Sequence, residues 1–578
     1  MNYKEVYEEW MRNPYFDEQT RAELKAIAED EKEIEDRFYR DLEFGTAGLR
    51  GVIGAGTNRM NLYTVRKATQ GLANYIKKTG AQEKGVAIAY DSRRMSPEFA
   101  DEAALCLGAN GIKAYVFESL RPTPELSYAV KKLNCTAGIN ITASHNPAEY
   151  NGYKVYWEDG AQITPPHDQN IMDEVKAVED YNHVLTMDKE DACKQGLYCS
   201  IGEDLDRSYM EEIKKLVIHQ DAIDAVTDEL KIVYTPLHGT GNIPVRTILK
   251  ELGFSNVFVV KEQEEPDGDF PTVGYPNPES PAAYELALAL AKKENADLVL
   301  ATDPDADRLG VYVKDGKTGE YHMLTGNMSG CLIGDYIIGQ TKVVKGALPE
   351  DGAFIRSIVT TNLADAIARH YGVNLIEVLT GFKFIGQKIL EFETTGQGTY
   401  LFGMEESYGC LPGVYARDKD AVAATMFLCE AAAFYKTQGK TLWDAMLEIY
   451  ERYGYYQDHV ESITLKGIEG LEKIKGILET LRSNPLAEIG AYKTLKFRDY
   501  QAGTITDAVT KEAAPTNLPS SNVLYYELED EAWVCVRPSG TEPKIKFYMG
   551  VKGTSLKDSM EKSKKLGQEV LKIVDELI

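Results

Sequence analysis

The stretch GVAIAYD (85–91), PEFADEAALCLGANG (97–111) and KAYVFE (113–118) decides the fold. A short apolar run is followed by a stretch with helical spacing and then by a second apolar run. This order is typical of a strand–helix–strand unit, in which a helix joins two strands of one sheet. The stretch therefore predicts an α/β domain.

The same order returns twice further along the chain. The two further units are KIVYTP (231–236), PVRTILKELGF (244–254) and NVFVV (256–260), and then GAFIRSIVT (352–360), LADAIARHYG (363–372) and NLIEVL (374–379). Three units of similar size predict three related mixed α/β domains. We expect them to span residues 41–205, 206–322 and 323–455.

The two ends of the chain have different patterns. Residues 1–40 are strongly charged, with apolar side chains such as Trp10 and Leu24 at loosely helical spacing, which predicts a helical N-terminal extension. Residues 456–578 contain four strand-like runs followed by a helical segment, namely TLKFRDYQAGTIT, SNVLYYELED, AWVCVRPSG, KIKFYMGV and SLKDSMEKSKKLGQEVLKIVDELI. This order predicts a C-terminal α+β domain with an antiparallel sheet.

Composition narrows the class of protein. The net charge of −26 argues against a nucleic-acid partner, because such proteins carry a basic face. Eight scattered cysteines in a chain of 578 residues favour reduced thiols and a cytoplasmic location. The start MNYKEVYEEW does not resemble a signal peptide, and without a run of about 20 apolar residues we expect no membrane span.

The segment ATDPDADRLGVYV is the first candidate for chemistry. Asp303, Asp305 and Asp307 alternate in a short loop between two strand-like runs. Three carboxylates that face one point repel one another unless a cation joins them, and oxygen ligands select Mg²⁺ or Ca²⁺. An EF-hand is excluded because Arg308 and Lys314 stand where it needs Gly and Glu. The alternative is an acidic hairpin turn.

The segment GINITASHNPAEYNGYKVYW places Ser144 in a loop directly after a strand. Ligand sites of α/β sheets lie at this edge. The alternative is a turn or cap serine, and His145 and Lys154 could be an ordinary loop histidine and a surface lysine. A Gly-x-Ser-x-Gly elbow is absent from the sequence, so esterase-type acyl chemistry is not supported.

The segment CVRPSGTEPKIKFY places a loop between two strand-like runs. Its cations, hydroxyls and Gly are suited to an anion, because Gly lets backbone N–H groups converge and Arg binds phosphate with two hydrogen bonds. The candidate residues are Arg537, Ser539, Gly540 and Thr541. The alternative is a plain hairpin turn.

Four further segments carry polar candidate residues, and three of the four contain two or more glycines. In LFGMEESYG, Glu405 and Ser407 could bind sugar hydroxyls. The remaining candidates are Arg50 in EFGTAGLRG, Thr380, Gly381 and Lys383 in TGFKFIG, and Lys419 in RDKDAV. Each of these segments could also be an ordinary loop.

In order along the chain, TASHNP, DPDADR, EES and RPSGTEPK resemble the phosphoserine, metal, sugar-binding and phosphate-binding loops of the α-D-phosphohexomutase family. The resemblance spans residues 43–548. Pro304 stands where many members carry Gly. With the long N-terminus and FGTAGLRG, the chain looks closest to the branch of bacterial phosphoglucomutases and animal phosphoglucomutase-2/phosphopentomutase enzymes.

The resemblance implies a fold and a set of roles. Four domains would surround a central cleft. Ser144 would carry the phosphoryl group, and one Mg²⁺ would bind to Asp303, Asp305, Asp307 and the phosphorylated serine. Glu405 and Ser407 would bind the sugar, and Arg537, Ser539, Gly540 and Thr541 its non-reacting phosphate. The other cleft residues would be Arg50, His145, Lys154, Arg308, Thr380, Gly381, Lys383 and Lys419, of which Arg50, His145 and Lys154 would assist catalysis.

The expected activity is interconversion of glucose 1-phosphate and glucose 6-phosphate, with glucose 1,6-bisphosphate as intermediate and activator. Phosphopentose and phosphomannose are alternative substrates, and a metal-dependent sugar phosphatase or a non-catalytic sugar-phosphate sensor is the alternative from another class. The expected partner is a small phosphosugar, with neither nucleic acid nor membrane. We expect a monomer or a weak homodimer.

Overall fold

A computed structural model describes residues 2–42, 48–465, 467–539 and 544–577 of the protein. It contains four sheets in chain order, preceded by a helical N-terminal segment. Short 3₁₀ helices lie at Gln82–Lys84, Tyr181–His183, Lys261–Gln263, Pro281–Tyr284 and Glu529–Glu531.

Three short helices form the N-terminal segment: α1 (Tyr3–Arg12), α2 (Glu18–Ala26) and α3 (Glu31–Phe38). Asn2, Asp17 and Asp30 cap them, each accepting a hydrogen bond from a backbone N–H of the first turn. The rings of Trp10 and Phe16 stack with their centroids 4.1 Å apart, and both are buried. Although the segment is strongly charged, its apolar side chains form a core together with Ala55 and Tyr63 of the first domain.

The first sheet belongs to the domain that carries Ser144. Its elements are β1 (Leu49–Val52), α4 (Leu62–Thr79), β2 (Val86–Tyr90), α5 (Ser96–Ala109), β3 (Ala114–Phe117), α6 (Thr123–Lys132), β4 (Ala137–Ile141), β5 (Tyr150–Trp157), α7 (His167–Lys176), α8 (Lys189–Lys194) and β6 (Tyr198–Ile201). The strand order is β1-β5-β4-β2-β3-β6. Strands β4, β2, β3 and β6 are parallel, while β5 is antiparallel to β4.

The second sheet belongs to the domain that carries the three aspartates. Its elements are α9 (Glu203–Lys214), α10 (Gln220–Val226), β7 (Lys231–Thr235), α11 (Asn242–Glu251), β8 (Asn256–Val259), α12 (Glu285–Glu294), β9 (Leu298–Thr302), β10 (Leu309–Lys314) and β11 (Tyr321–Leu324). The order is β11-β10-β9-β7-β8, with β7 parallel to β8 and β9, and β10 antiparallel to β9.

The third sheet belongs to the domain that carries Glu405. Its elements are α13 (Gly326–Lys345), β12 (Gly352–Ser357), α14 (Leu363–Tyr371), β13 (Asn374–Val378), α15 (Lys383–Thr395), β14 (Thr399–Glu405), β15 (Gly409–Leu411), α16 (Ala421–Lys436) and α17 (Leu442–Tyr453). The order is β13-β12-β14-β15, with β12 parallel to β13 and β14, and β15 antiparallel to β14.

These three domains share one arrangement that positions the site. In each sheet the parallel strand at one side of the parallel block pairs with an antiparallel strand that follows it directly in the chain, giving the hairpins β4–β5, β9–β10 and β14–β15. The Ser144 loop, the Asp303 loop and the Glu405–Ser407 turn join the strands of these hairpins. They therefore occupy equivalent positions at the carboxyl end of equivalent strands, where ligands of α/β sheets bind.

The fourth sheet is antiparallel throughout. Its elements are β16 (Tyr455–Thr464), α18 (Gly467–Ser483), β17 (Glu488–Ile489), β18 (Tyr492–Asp499), β19 (Thr504–Asp507), β20 (Ala513–Pro515), β21 (Leu524–Leu528), β22 (Trp533–Pro538), β23 (Lys544–Gly553) and α19 (Leu556–Leu577). The order is β16-β23-β22-β21-β18-β19-β20, and β17 pairs with β18. The expected fold class of three similar mixed α/β domains and a C-terminal α+β domain is confirmed.

Two details of the fourth sheet differ from the sequence prediction. The run TLKFRDYQAGTIT forms two strands, β18 and β19, because a turn at residues 500–503 reverses the chain. Strand β16 was not among the predicted runs, although it pairs with β23 over ten residues. It is an edge strand with mostly exposed or half-buried side chains, so it lacks the apolar alternation that marks a strand.

The described helices include none that is both long enough and apolar enough to cross a lipid bilayer.

Candidate active site

The loops of the first two domains meet at Ser144. We call residues 142–149 the serine loop and residues 303–308 the metal loop. The Ser144 hydroxyl donates a hydrogen bond to Asp303 Oδ2 over 2.8 Å, although 159 residues separate the two. Ser144 is buried and has a φ of 51°, in the left-handed region that costs a residue with a side chain about 1–2 kcal/mol. The serine loop is thus held in a strained conformation that aims its hydroxyl at the metal loop.

The carboxylates of the metal loop form a compact buried group. Asp303, Asp305 and Asp307 each present an oxygen within 4.8 Å of the others. Asp303 Oδ1 accepts the backbone N–H groups of Asp307 and Arg308 at 3.1 and 3.0 Å, which closes the loop around the acids. Alternate positions of a tight turn therefore face one point, as the sequence pattern predicted.

The donor set fits a hard divalent cation. Among the described residues, Asp305 Oδ1 and Asp307 Oδ1 are buried without a hydrogen-bond partner. Such oxygens are costly to bury unless a cation or water joins them. Oxygen-only ligands at this spacing are typical of Mg²⁺ or Ca²⁺ rather than of zinc or iron. The group could hold a metal ion.

The electrostatics of the three acids agree with this conclusion. Burial raises the pKa of Asp303 well above its ordinary value, and the neighbouring Asp305 and Asp307 raise it further. Burial acts in the same direction on Asp305, but the Lys154 ammonium outweighs it and lowers the pKa of that carboxyl. Three charges at this distance are not tolerated together without additional positive charge.

Lysines from two other domains supply part of that charge. Lys154, on β5 of the first domain, lies with Nζ 2.9 Å from Asp305 Oδ2 and 3.8 Å from Asp307 Oδ2. Lys419, from the third domain, lies 3.1 Å from Asp307 Oδ2 and also contacts Asp418 at 3.0 Å. Ion pairs therefore join the metal loop of the second domain to both the first and the third domain.

Arg308 contacts the metal loop and its surroundings. Its Nη1 lies 2.7 Å from the carboxylate of Glu279, and its Nε lies 3.7 Å from Asp307 Oδ1. Its side chain is 18% exposed beside the three aspartates. A phosphate oxygen bound there could accept a hydrogen bond from the guanidinium.

His145 and Arg50 lie beside the serine hydroxyl. His145 Nδ1 is 3.2 Å from Ser144 Oγ, within reach of a proton. Burial, followed by the charges of Arg308 and Arg50, keeps the pKa of His145 well below its ordinary value. Arg50 Nη1 donates to Asn146 Oδ1 at 3.0 Å, on the same loop as Ser144. The predicted catalytic residues Ser144, His145, Lys154 and Arg50 are thus brought together.

The third domain contributes Glu405, at the end of β14. Its Oε1 accepts the backbone N–H of Gly381 at 2.8 Å, which joins two of the predicted segments. Burial raises the pKa of Glu405 to about 7, while Lys419 opposes the shift and Glu406 adds to it. Ser407 is half-buried in the following turn, and Thr380 Oγ1 is buried without a hydrogen-bond partner among the described residues.

The segment TGFKFIG is only partly a loop. Lys383 is the first residue of α15, so residues 383–386 are its first turn rather than a flexible segment. Lys383 Nζ lies 3.4 Å from the Ile163 carbonyl and 3.9 Å from an oxygen of Asp168. It therefore bridges the third domain to the first.

The phosphate loop, residues 537–543, is described in part. Arg537 is the first half-buried residue of β22 after four buried ones, and the Ser539 N–H donates to the Lys544 carbonyl at 2.7 Å. Gly540 and Thr541 lie outside the described residues, so their assignment stays a prediction.

Several polar residues of the site were not among the predicted ones. Thr123 donates its hydroxyl to Asp305 Oδ2 at 2.8 Å and its N–H to the Asp305 carbonyl at 2.9 Å, and Asn140 donates to Thr123 at 2.6 Å. No local pattern in RPTPEL points to such a role. Glu406 accepts from Ser357 at 3.1 Å.

Lys546 is a further residue that the sequence analysis missed. Burial lowers its pKa, while the carboxylates of Glu279 and Glu406 work against the shift. These two carboxylates belong to the second and third domains, while Lys546 lies on β23 of the fourth. Its signal was the alternation in KIKFY, which puts Lys544, Lys546 and Tyr548 on one face of a strand.

Comparison with known families identifies the family of the chain. Models of the phosphoglucomutase/phosphomannomutase α/β/α domains I, II and III match residues 41–182, 207–316 and 325–453. The chain belongs to the phosphoglucomutase/phosphomannomutase family. It is therefore an enzyme of the phosphohexomutase class, and the resemblance based on the four loops is confirmed.

Curated relatives point to one branch of this family. A phosphoglucomutase of Staphylococcus aureus strain MRSA252 is 38% identical over 542 residues, which cover 93% of this chain and 95% of the relative. A phosphoglucomutase of Staphylococcus saprophyticus is 37% identical over 524 residues, covering 90% and 92%. The expected similarity to bacterial phosphoglucomutases is confirmed.

Solved structures share the fold at lower identity. Parafusin (phosphoglucomutase) of Paramecium in its open form superposes with a TM-score of 0.67 at 18% identity, covering 93% of this chain and 96% of that one. A phosphoglucomutase/phosphomannomutase family protein of Burkholderia thailandensis gives 0.63 at 18% identity, covering 92% and 97%. At this identity the likeness concerns the fold alone.

Proposed function

We propose that the chain is a phosphoglucomutase that interconverts glucose 1-phosphate and glucose 6-phosphate through a phosphorylated Ser144 and glucose 1,6-bisphosphate. The observation that carries the proposal is the 2.8 Å contact between Ser144 Oγ and Asp303 Oδ2, within a buried acid group that fits a metal ion. The 38% identity to a curated phosphoglucomutase over 93% of the chain supports the choice of glucose.

The metal we propose is Mg²⁺, held by Asp303, Asp305, Asp307 and an oxygen of the phosphorylated serine. A bound divalent cation would neutralise the charge of the phosphoryl group, which carries about −2 at neutral pH. The two partnerless buried oxygens of Asp305 and Asp307 support this assignment.

In the first transfer, the bond between phosphorus and Ser144 Oγ breaks and a bond to a hydroxyl oxygen of the sugar monophosphate forms. The sugar hydroxyl gives up its proton, and the departing serine oxygen takes up a proton, so that the step ends with a free Ser144 hydroxyl. Lys154 and Arg50 are our candidates for assisting this proton transfer and for stabilising negative charge. Their support is their position: Lys154 lies 2.9 Å from Asp305, and Arg50 contacts the serine loop at Asn146.

In the second transfer the bisphosphate presents its other phosphate to the unmodified Ser144. The serine hydroxyl must then lose its proton as the new P–Oγ bond forms, while the bond between phosphorus and the sugar oxygen breaks and that oxygen takes up a proton to give the product hydroxyl. His145 Nδ1, 3.2 Å from Ser144 Oγ, is in reach of that proton. In this proposal His145 acts on the serine, while Lys154 and Arg50 act on the sugar hydroxyl.

The remaining residues would hold the sugar in two orientations. Glu405 and Ser407 would bind hydroxyls, and Arg537, Ser539, Gly540 and Thr541 would bind whichever phosphate is not reacting. Arg308, Lys419, Thr380, Gly381 and Lys383 would complete the wall of the cleft. The juxtaposition of Glu405 with the Gly381 N–H supports placing these segments around one ligand.

A coupled assay tests the proposal. Glucose 1-phosphate, ribose 1-phosphate and mannose 1-phosphate are offered side by side with Mg²⁺ and catalytic glucose 1,6-bisphosphate. We expect the highest kcat/KM for glucose 1-phosphate. A preference for ribose or mannose would replace the substrate but keep the chemistry, whereas release of inorganic phosphate without isomer would show a phosphatase and refute the mutase.

Three further proposals concern the domain boundaries, the cellular location and the oligomeric state. The domains are assigned to residues 41–205, 206–322, 323–455 and 456–578 after a helical extension at 1–40, which limited proteolysis would test. We propose a cytoplasmic enzyme, supported by eight cysteines that are all free. We propose a monomer or weak homodimer, to be tested by sedimentation over a range of concentrations.

A further inference from the structure

Arg93 is a fully buried cation that none of the proposed catalytic steps uses. It follows β2, between that strand and α5, and its side chain is 0% exposed. Its Nε lies 3.3 Å from Asp91 Oδ2, and that carboxylate is 0% exposed too. Asp91 also accepts the backbone N–H of Arg93 at 3.0 Å and the Ser96 hydroxyl at 2.9 Å. Asp91, the residue that directly follows β2, therefore helps to orient the guanidinium.

The other donors of Arg93 all bind the serine loop or the strand that follows it. The guanidinium donates to four backbone carbonyls: Nη2 to Ser144 at 2.6 Å and Asn146 at 2.5 Å, and Nη1 to Pro147 at 2.8 Å and Tyr150 at 3.0 Å. A guanidinium carries five donors in a rigid plane, whereas a lysine ammonium carries three on one atom. An Arg side chain can therefore make all of these contacts, whereas a Lys side chain at this position could not.

The serine loop needs such an anchor because its conformation is unfavourable. With a φ of 51°, Ser144 lies in a region that residues with a side chain leave unless the surroundings hold them. Two other contacts help: the Ser144 N–H donates to Thr142 Oγ1 at 2.8 Å, and Arg50 donates to Asn146 at 3.0 Å. Arg93 is the contact that binds the loop on both sides of Asn146 at once.

The second domain closes over the same guanidinium. The Phe270 ring lies with its centroid 5.1 Å from Arg93 Cζ. Gly268 packs against the backbone beside Arg93 so closely that a Cβ at residue 268 would lie 2.6 Å from the backbone nitrogen of Arg94. Residues 267–270 belong to the domain that carries the metal loop. Arg93 thus touches both sides of the contact between Ser144 and Asp303.

We propose that Arg93 is a positioning residue that sets the register of Ser144 against Asp303, with Asp91 orienting its guanidinium and Phe270 seating it against the second domain. The inference rests on the proposed function, since it concerns the geometry of phosphoryl transfer. Arg93 touches neither the sugar nor the phosphate in this arrangement. Its loss should therefore lower the rate of transfer rather than the affinity for substrate.

The test uses the full-length enzyme and the variants Arg93→Met and Arg93→Lys, with Arg94→Ala as the matched control. Arg94 lies in the same turn, but its ion pair with Asp269 is exposed on the surface. For Arg93→Met we expect kcat to fall about 100-fold, the loss typical of a misplacement near 1 Å. KM for glucose 1-phosphate should stay within about threefold, because the phosphate loop and Glu405 are unchanged. Arg93→Lys, which keeps the charge, should recover part of the rate, and Arg94→Ala should behave as wild type.

A second readout is independent of turnover. Hydrogen exchange of backbone amides in residues 142–150 should speed up in Arg93→Met and less in Arg93→Lys, while the sheet beneath stays protected. Phosphoserine content by intact mass gives the active fraction, so kcat is corrected for any misfolded enzyme. If Arg93→Met does not fold, the Lys variant decides alone: we still expect its kcat to be clearly reduced and its loop to exchange faster.

The outcomes separate the two proposals. An inactive wild type would refute the proposed function, while the exchange measurement would still report on the loop. An active wild type with unchanged kcat in either Arg93 variant would overturn the positioning role. Unchanged exchange of the loop, or a KM that rises as much as kcat falls, would overturn it as well.

Discussion

The proposed ligand site has two ends, a serine–metal end and a phosphate end, and they are built differently. At the serine–metal end, Ser144 and the three aspartates are at most 2% exposed and are joined by direct contacts from three domains. At the opposite end, the described part of the phosphate loop, with Arg537 and Ser539, is only half-buried on the fourth sheet.

This difference matches what each end must do. Phosphoryl transfer requires fixed geometry between the hydroxyl and the charges around it, and preorganised groups stabilise charge without rearranging. In the proposed mechanism the phosphate loop has to accept either phosphate of a bisphosphate that turns round. Changes at the serine–metal end should therefore act on rate, and changes at the phosphate end on binding.

The largest expected effect is that of Ser144→Ala. Without the hydroxyl, no phosphoryl group can be carried, so kcat should fall by at least about 1,000-fold, as for other removed nucleophiles. Intact mass should show the loss of the protein-bound phosphate. Ser200→Ala, at an exposed position of β6, is the control. Turnover near the wild-type rate would exclude a phosphoserine mechanism.

The next effect concerns the acid group. Asp305→Asn removes a charged ligand and the partner of Lys154, so Mg²⁺ should bind at least about 100-fold more weakly by calorimetry. Chelation should silence the wild type, and added Mg²⁺ should restore it. Asp269→Asn, in a surface ion pair, should bind Mg²⁺ as the wild type does. Full activity in excess chelator would contradict the metal role.

A smaller effect, of a different kind, is expected at the phosphate end. Arg537→Ala removes charged hydrogen bonds to the non-reacting phosphate, so KM should rise about 10- to 100-fold with less change in kcat. Phosphoserine content should stay normal. Lys552→Ala, which breaks an exposed ion pair with Glu531 on the same sheet, is the control. A change in kcat without a change in KM would contradict the assignment of substrate binding to the phosphate end.

The smallest effect tests Glu405, between the two ends. Its pKa of about 7 means that it becomes protonated in the free enzyme as the pH falls through 7. Since the ionised form is the better acceptor for sugar hydroxyls, kcat/KM should fall by up to about tenfold per pH unit below that value. Glu405→Gln should remove this limb of the pH profile and lower kcat/KM modestly above it.

The same residue allows a stability measurement. The pKa of Glu405 is raised from 4.5, so the folded state binds the proton more tightly than the unfolded state does. Ionisation between pH 4.5 and 7 therefore lowers the free energy of unfolding. Denaturation at pH 8 should find Glu405→Gln more stable than wild type by about 1–3 kcal/mol, and the difference should vanish near pH 4. An equal difference at both pH values would contradict the shifted pKa.

Local patterns determined much of the fold and the identity of the site loops. Strand–helix–strand order follows from apolar periodicity and turn residues, which act over a few positions. The three alternating acids, the serine loop and the Arg537 segment with its cations, hydroxyls and Gly are also local. They were recognisable in sequence because each loop carries its chemistry on consecutive residues. The edge strand β16 was not recognisable in the sequence, because few of its side chains are apolar and buried even though it pairs with β23.

Only the tertiary structure decided which loops meet. Ser144 and Asp303 are 159 residues apart, and Lys419 reaches Asp307 from the third domain. The roles of Thr123 and Arg93 depend on where helices and turns pack, not on their neighbours in sequence. The pKa of Glu405 follows from burial, which no local pattern reports. Sequence determines the conformation of a loop through short-range sterics and hydrogen bonds, whereas the distances between loops are set by how the sheets pack against one another.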